Sequence, residues 1–259
     1  MITIAGGDSF VFGSELKYAS KTFTSLLAFD HGEYICTAMP GFANGAISRT
    51  VIAECLKHKN PVVVVSWTFP GRYEFRFNFN TKNRTSPWYS LNSWTVINDV
   101  KEIQDTFINN NNGILKDFND STIEAKKSGL ADFAKTFYQN VGQSEYWEIY
   151  VSLKEIVFLQ NFLKQRNIPY LFTCADNSIL YNYTIENSDE YIDSLYVQID
   201  MSNWFWFPTG ADKKPRGFYQ WALENKYPVG VLHPLEQAHY DAFLLMKEKF
   251  NELVKKSLE

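Results

Sequence analysis

The sequence predicts an α/β protein, a three-layer α/β/α sandwich around a central, mostly parallel sheet, with two long insertions. Three observations predict it. Short apolar strand candidates alternate with amphipathic helix candidates from Ile2 to Trp67, the βαβ rhythm of a doubly wound sheet. The run Val62-Val63-Val64-Val65 is apolar at every position, so both of its faces must be covered, as in a central parallel strand. A helix, a strand and a closing helix in the C-terminal half then resume the rhythm.

Taken in order, residues 2–5 form a short apolar run closed by Gly6-Gly7, which predicts a buried strand. Residues 14–28 show helical spacing of Leu16, Phe23, Leu26 and Leu27. A second strand is predicted over 34–38 and is stopped by Pro40-Gly41. Residues 44–58 read as a helix with Ile47, Val51, Ile52, Cys55 and Leu56 on one face, and Pro61 introduces the third strand over 62–67. A long amphipathic helix over 145–166, a fourth strand over 168–174 and a last helix over 235–258 complete the scaffold. The rhythm breaks over about 69–142, which includes a predicted loop at Asn109–Asn112, and again over about 176–232. Both breaks read as insertions on a single domain spanning 1–259.

Composition narrows the function classes. Hydrophobic residues make up 45% of the chain and charged residues 21%, values of an ordinary globular protein and not of a disordered one. The formal charge of −4 argues against a broad nucleic-acid footprint. No apolar run approaches the roughly 20 residues that span a bilayer, and the N-terminus lacks the basic region of a signal peptide. Three scattered cysteines, Cys36, Cys55 and Cys174, supply neither a disulfide framework nor a zinc motif, and fit a reducing, cytoplasmic setting. The Asn-x-Ser/Thr sites at Asn83, Asn119 and Asn182 are then chance matches. No metal or cofactor is expected. Aromatic content is unusual at 17%, and much of the excess falls in the two breaks. Tyr73, Phe75, Phe77 and Phe79 alternate with polar residues as in a half-buried strand, and Trp204-Phe205-Trp206-Phe207 forms a continuous run. Each is read as core for its insertion or as a platform for a flat ligand.

In doubly wound sheets functional groups gather beyond the carboxyl ends of the strands. Gly6-Gly7-Asp8-Ser9-Phe10 follows the first strand, where a serine can draw on a helix N-terminus and on its own backbone N–H. His233 precedes the last helix, in a position to serve that serine as general base. Asp8 is expected to support the turn through bonds to backbone N–H groups. His239, six residues after His233, lies on another helical face and is expected to be structural. Arg72 and Glu74 alternate on an extended segment, where Arg72 can form a surface ion pair or hold a substrate carboxylate or phosphate.

These residues form a pattern. Gly7-Asp8-Ser9-Phe10, Pro40-Gly41-Phe42-Ala43-Asn44, Trp67-Thr68-Phe69-Pro70-Gly71-Arg72-Tyr73-Glu74 and His233-Pro234 together resemble the sequence blocks of the SGNH/GDSL hydrolase superfamily. The combination is similar to a divergent branch common in tailed-phage genomes, which would place the protein in a host cytoplasm. The resemblance covers the sheet-forming parts and neither insertion. It implies an SGNH/flavodoxin-like fold with Ser9 as nucleophile, His233 as base and Gly41 as an oxyanion donor. The chain departs from the pattern twice. Gly230 stands where the family has its acid, three residues before the histidine, and the third-block asparagine is absent, with Thr68 or Asn44 as substitutes. Asp176, Asp212 or a backbone carbonyl could orient His233 instead. The resulting expectation is a serine esterase or acyl transferase acting on a small-molecule or glycan ester. The alternative is a catalytically weak protein of the same fold that binds a glycan or nucleotide. The sequence leaves the oligomeric state open.

Overall fold

The computed structural model describes residues 1–76, 88–92, 129–181 and 189–258. Among them the strands are β1 (Ile2–Gly6), β2 (Glu33–Cys36), β3 (Val62–Trp67), β4 (Arg72–Arg76), β5 (Trp88–Asn92) and β6 (Tyr170–Cys174). The helices are α1 (Ser9–Phe12), α2 (Phe23–Ala28), α3 (Asn44–Cys55), α4 (Leu130–Phe137), α5 (Glu145–Gln165), α6 (Ser178–Tyr181), α7 (Glu190–Tyr196), α8 (Phe218–Glu224) and α9 (Glu236–Leu258). Two compact units result, one made of Met1–Pro70 with Ile149–Glu259 and the other of Gly71–Glu148.

The first unit is built on a four-stranded sheet in the order β2-β1-β3-β6, parallel throughout. All six residues of β3 are buried, because it pairs on both edges and is covered on both faces. Successive side chains therefore enter opposite cores. Val63, Val65 and Trp67 join Ile47, Val51 and Cys55 of α3 and Leu153, Ile156 and Leu163 of α5. Val62 and Val64 join Phe23 and Leu27 of α2 and a stripe on α9. That stripe is Ala238, Ala242, Met246, Phe250 and Val254, one residue every four, as a helix laid along a sheet requires. Burial of Met246 and of Phe250 each stabilises by about 1.5–3 kcal/mol. The alanines at the near end let the first turns of α9 approach the sheet closely. Helices thus cover both faces, and the three-layer α/β/α sandwich with a parallel centre is the fold of this unit.

The strand order fixes where a site can form. The chain leaves β1 toward β2, then crosses back over β1 to reach β3, so the crossovers diverge at the carboxyl ends of β1 and β3. The segments at that switch point are Gly7-Asp8-Ser9 and Thr68-Phe69.

Three expectations change in physical detail. The helix predicted over 14–28 is divided: α1 ends at Gly13 with φ of 85°, Glu15 has φ of 67°, and α2 starts afresh with Thr22 accepting a bond from the Ser25 N–H at 3.3 Å. The spacing of Phe23 and Leu27 was a true helix signal, whereas Leu16 lies in the turn before it. The second break, 176–232, is not merely an appendage. Trp204–Phe207 runs beside β6, with the Phe205 N–H bonded to the Phe172 carbonyl at 2.7 Å and a parallel bridge from Phe172 to Trp204. Trp204 enters one core and Phe207 the other, so the aromatic run covers the outer edge of the sheet, which would otherwise present unpaired backbone. The first break, expected over 69–142 as an insertion on a single domain, coincides with the second compact unit, Gly71–Glu148.

In that unit β4 and β5 pair as an antiparallel hairpin. Tyr73 packs edge-on against Phe137 and Tyr138, and Phe75 against Phe133 and Phe137. The Tyr73 hydroxyl donates to the Gly142 carbonyl at 3.1 Å and that of Tyr138 to Gly71 at 2.9 Å. For these two aromatics, alternation marked a core. Phe77, Phe79, the loop at Asn109–Asn112, and Asn83, Asn119 and Asn182 lie outside the described residues. No helix among the described residues is long and apolar enough to cross a membrane.

Candidate active site

The first loop of the site is set by Asp8. Its carboxylate accepts the Phe10 N–H at 3.2 Å, capping the short helix α1, and the Thr68 hydroxyl at 2.6 Å. The second bond ties the end of β1 to the end of β3 across the switch point. Asp8 and Thr68 are both fully buried, so each needs the other as a partner. Ser9 therefore stands at the start of α1 on a turn held from two sides, with 7% of its surface exposed.

The second loop follows β2. Phe42 N–H bonds back to the Met39 carbonyl at 3.2 Å, with Pro40 and Gly41 between them. Proline followed by a residue at φ of 79° is the pattern of a type II turn, and glycine occupies that position without steric cost. Asn44 begins α3 and clamps Thr68: its Oδ1 accepts the Thr68 N–H at 3.0 Å and its Nδ2 donates to the Thr68 carbonyl at 3.3 Å. The same Nδ2 donates to the Ser152 hydroxyl at 3.1 Å. Both Asn44 amide hydrogens are thus engaged in the scaffold, and the Thr68 hydroxyl proton is given to Asp8. The expectation that either side chain replaces the missing oxyanion donor meets donors already in use. Arg72 begins β4 and belongs to the second compact unit.

The third loop brings His233. Val229 and Pro234 form an antiparallel bridge, and Gly230 N–H bonds to the His233 carbonyl at 2.9 Å, closing a tight loop before α9. The His233 ring lies edge-on against Phe10, with 5.1 Å between centroids. The residue next to Ser9 thus touches an imidazole more than two hundred positions further along the chain. Phe10 also meets Phe69 at 6.4 Å and Tyr219 at 5.4 Å, and the last two meet at 6.2 Å. An aromatic wall drawn from three segments therefore stands beside His233.

Sequence reasoning missed the group that holds this histidine. Glu15 Oε1 lies 2.8 Å from His233 Nδ1, and the carboxylate also accepts the N–H groups of Val231 at 2.6 Å and Leu232 at 3.2 Å. Burial alone would raise the Glu15 pKa. The bond from His233, the Leu232 N–H, the charge on the imidazole and the Val231 N–H outweigh it and leave the carboxyl below its ordinary value. The carboxylate accepts only, so Nδ1 carries a proton, and in the neutral ring Nε2 is the nitrogen that keeps a lone pair. The signal available in the sequence was indirect: Gly230, where an acid was expected, leaves a space. Of the carboxylates proposed instead, Asp176 caps the Ser178 N–H at 2.8 Å and Asp212 pairs with Arg216 at 2.9 Å.

His239 sits one turn into α9, buried at 1% exposure. It stacks on Phe23 and lies tilted against Phe218, and its Nδ1 accepts the Phe23 N–H at 3.3 Å. Burial pushes its pKa down to about 3; Glu236 opposes that shift and His233 adds to it.

No family model and no curated protein matches the chain. Solved structures with a similar chain course include the psychrotrophic esterase EstA from Pseudoalteromonas, with 11% identity, 99% of this chain and 98% of that one covered, and a TM-score of 0.45. A lipolytic protein of the G-D-S-L family from Veillonella parvula is 9% identical over 97% of this chain and 98% of its own, with a TM-score of 0.44. TesA is 10% identical over 98% and 99% of the two chains, with a TM-score of 0.44.

Proposed function

We propose that the protein is a serine esterase or acyl transferase of the SGNH type, acting on a small ester. The observation that carries this reading is the meeting of the Ser9 turn and His233, through Phe10, at the switch point of the sheet. Ser9 Oγ attacks the ester carbonyl while His233 Nε2 takes its proton. The backbone N–H groups of Ser9 and Gly41 hold the developing oxyanion, and each such donor typically contributes about 10²–10³ in rate. Protonated His233 then delivers the proton to the departing alcohol. Water or a second alcohol releases the acyl group. Asp8, Thr68 and Asn44 act as positioning residues that fix the Ser9 turn and its neighbouring strand end. The wall of Phe10, Phe69 and Tyr219 gives the acyl or alcohol part an apolar, flat surface. An O-acylated sugar ring and an aryl group are both compatible with it.

Turnover of short-chain nitrophenyl esters by the wild type and Ser9→Ala tests the assignment. A loss of about 10³-fold or more in kcat is expected, with the melting temperature little changed. Equal rates would remove Ser9 from the chemistry. The engaged amide of Asn44 favours a second reading, a binding protein with weak chemistry. Failure of a fluorophosphonate probe to label Ser9, together with measurable glycan or nucleotide binding, would decide for it.

A further inference from the structure

We propose that Glu15 is the positioning acid of this site, and that position 230 is glycine so that the Glu15 carboxylate can reach His233 from the N-terminal segment. The inference rests on the Ser9–His233 reading and adds the residue that sets the state of the base.

Two positions compete for one location. A Cβ built on Gly230 would overlap Glu15 Oε2, so a side chain there and the Glu15 carboxylate in its present place exclude each other. With the Glu15 carboxylate seated on His233, residue 230 has no room for a side chain. With an acid at 230, Glu15 would have to turn its carboxylate away. The chain has taken the first arrangement, and its backbone is shaped to suit. Gly13 and Glu15 both have positive φ, 85° and 67°, which turns the segment after α1 back toward the loop before α9. A glutamate in the left-handed region is uncommon, and here the conformation delivers the carboxylate into a ring of donors. Oε1 takes His233 Nδ1 at 2.8 Å, and Oε2 takes the N–H groups of Val231 at 2.6 Å and Leu232 at 3.2 Å. A few residues on, the Lys17 N–H bonds to Glu236 Oε1 at 2.9 Å, a second tie between the same segments. Nucleophile and acid thus lie six residues apart on one segment, and the histidine alone comes from the other end of the chain.

A carboxylate that only stapled the loop would leave the imidazole indifferent to its exact chemistry. A positioning acid would not. In Glu15→Gln the backbone N–H groups of Val231 and Leu232 select the amide oxygen, because an NH2 group cannot accept from them. The NH2 then faces His233 Nδ1, which must give up its proton to Nε2. A ring protonated on Nε2 cannot take the proton of Ser9.

The test is Glu15→Gln, read by nitrophenyl ester kinetics, by 15N NMR of the His233 ring, and by melting temperature. We expect kcat to fall about 10²–10⁴-fold with KM within a few-fold, and the ring proton to move from Nδ1 to Nε2 in a protein that still melts cooperatively. The double variant Glu15→Ala/Gly230→Asp moves the acid to the vacated position and should regain at least tenfold over Glu15→Ala. A wild-type enzyme whose Glu15→Gln variant keeps both its kcat and its Nδ1 proton overturns the proposal. If the wild type neither turns over esters nor reacts with a fluorophosphonate, the esterase reading fails. The NMR result then still decides whether Glu15 sets the tautomer.

Discussion

His233 and His239 lie six residues apart at the entrance to α9, and the structure uses them in opposite ways. His233 is in a loop, partly exposed, with Nδ1 held by a carboxylate. His239 is enclosed, stacked on Phe23 and tilted against Phe218, and its Nδ1 is the acceptor for a backbone N–H of α2. A carboxylate beside an imidazole stabilises its charged form, which a base must pass through. An apolar cage does the reverse and keeps the ring neutral. On the proposed reading the same side chain is prepared for proton transfer in one place and barred from it in the other, and the environment, not the residue type, makes the difference.

Exchanging each histidine for alanine breaks this comparison most directly. His233→Ala should lower ester turnover by about 10³-fold or more while leaving urea stability within about 1 kcal/mol. His239→Ala should cost about 2–4 kcal/mol of stability, since it opens a cavity against Phe23 and Phe218 and leaves the buried Phe23 N–H without its acceptor. Its remaining folded fraction should keep most of the wild-type kcat. If both variants lost activity in proportion to stability, the division of labour would be wrong.

Much of this arrangement was legible in advance, for identifiable reasons. The β-branched run of β3 and the four-residue stripe of α9 are strong periodic signals that tertiary structure has no cause to override. Ser9 and His233 stand out in the sequence because they border such elements, where α/β sheets collect their ligands. Glu15 was not found because nothing local marks it. Its role depends on a positive φ and on a contact across most of the chain, neither of which leaves a periodic trace. For Asn44 and Thr68 the sequence shows the residues but not their partners, Asp8 after β1, Ser152 on α5 and each other, which already engage their hydrogens. The Trp204–Phe207 run was visible, but continuous aromatic sequence does not distinguish an insertion core from a sheet edge.

The pH dependence of stability sharpens the comparison with a smaller effect. The His239 pKa falls from 6.5 to about 3 on folding, so between those values the unfolded chain binds a proton that the native state excludes. Stability contributed here is fully present above about 6.5 and falls as pH drops toward 3, by on the order of 1 kcal/mol per unit. Glu15 acts in a separate window. Its carboxyl is held below the ordinary 4.5, so its contribution is present above that value and is lost as pH falls through the lower folded one. Denaturation of His239→Gln, which can still accept from Phe23 N–H, should show a shallower loss than wild type between pH 6.5 and 4.5. Parallel curves across that window would mean that His239 is not the neutral, enclosed ring described above.

Thr68→Val carries the smallest expected effect and tests whether a group can be structural and still matter to rate. The substitution keeps the shape and removes the hydroxyl that Asp8 accepts at 2.6 Å. A buried carboxylate deprived of one donor destabilises the fold by about 1–3 kcal/mol. Asp8 also caps the helix that begins with Ser9, so loosening it should displace the nucleophile slightly, and we expect kcat to fall roughly tenfold with KM little changed. His239→Ala should show the opposite profile, a larger loss of stability with a smaller loss of rate. The contrast follows from distance to the reaction: Thr68 acts through a single carboxylate on the Ser9 turn, whereas His239 acts on the placement of α2. A Thr68→Val enzyme with full kcat and reduced stability would put Thr68 on the purely structural side with His239, and would mean that the Ser9 turn keeps its place without the Thr68 bond.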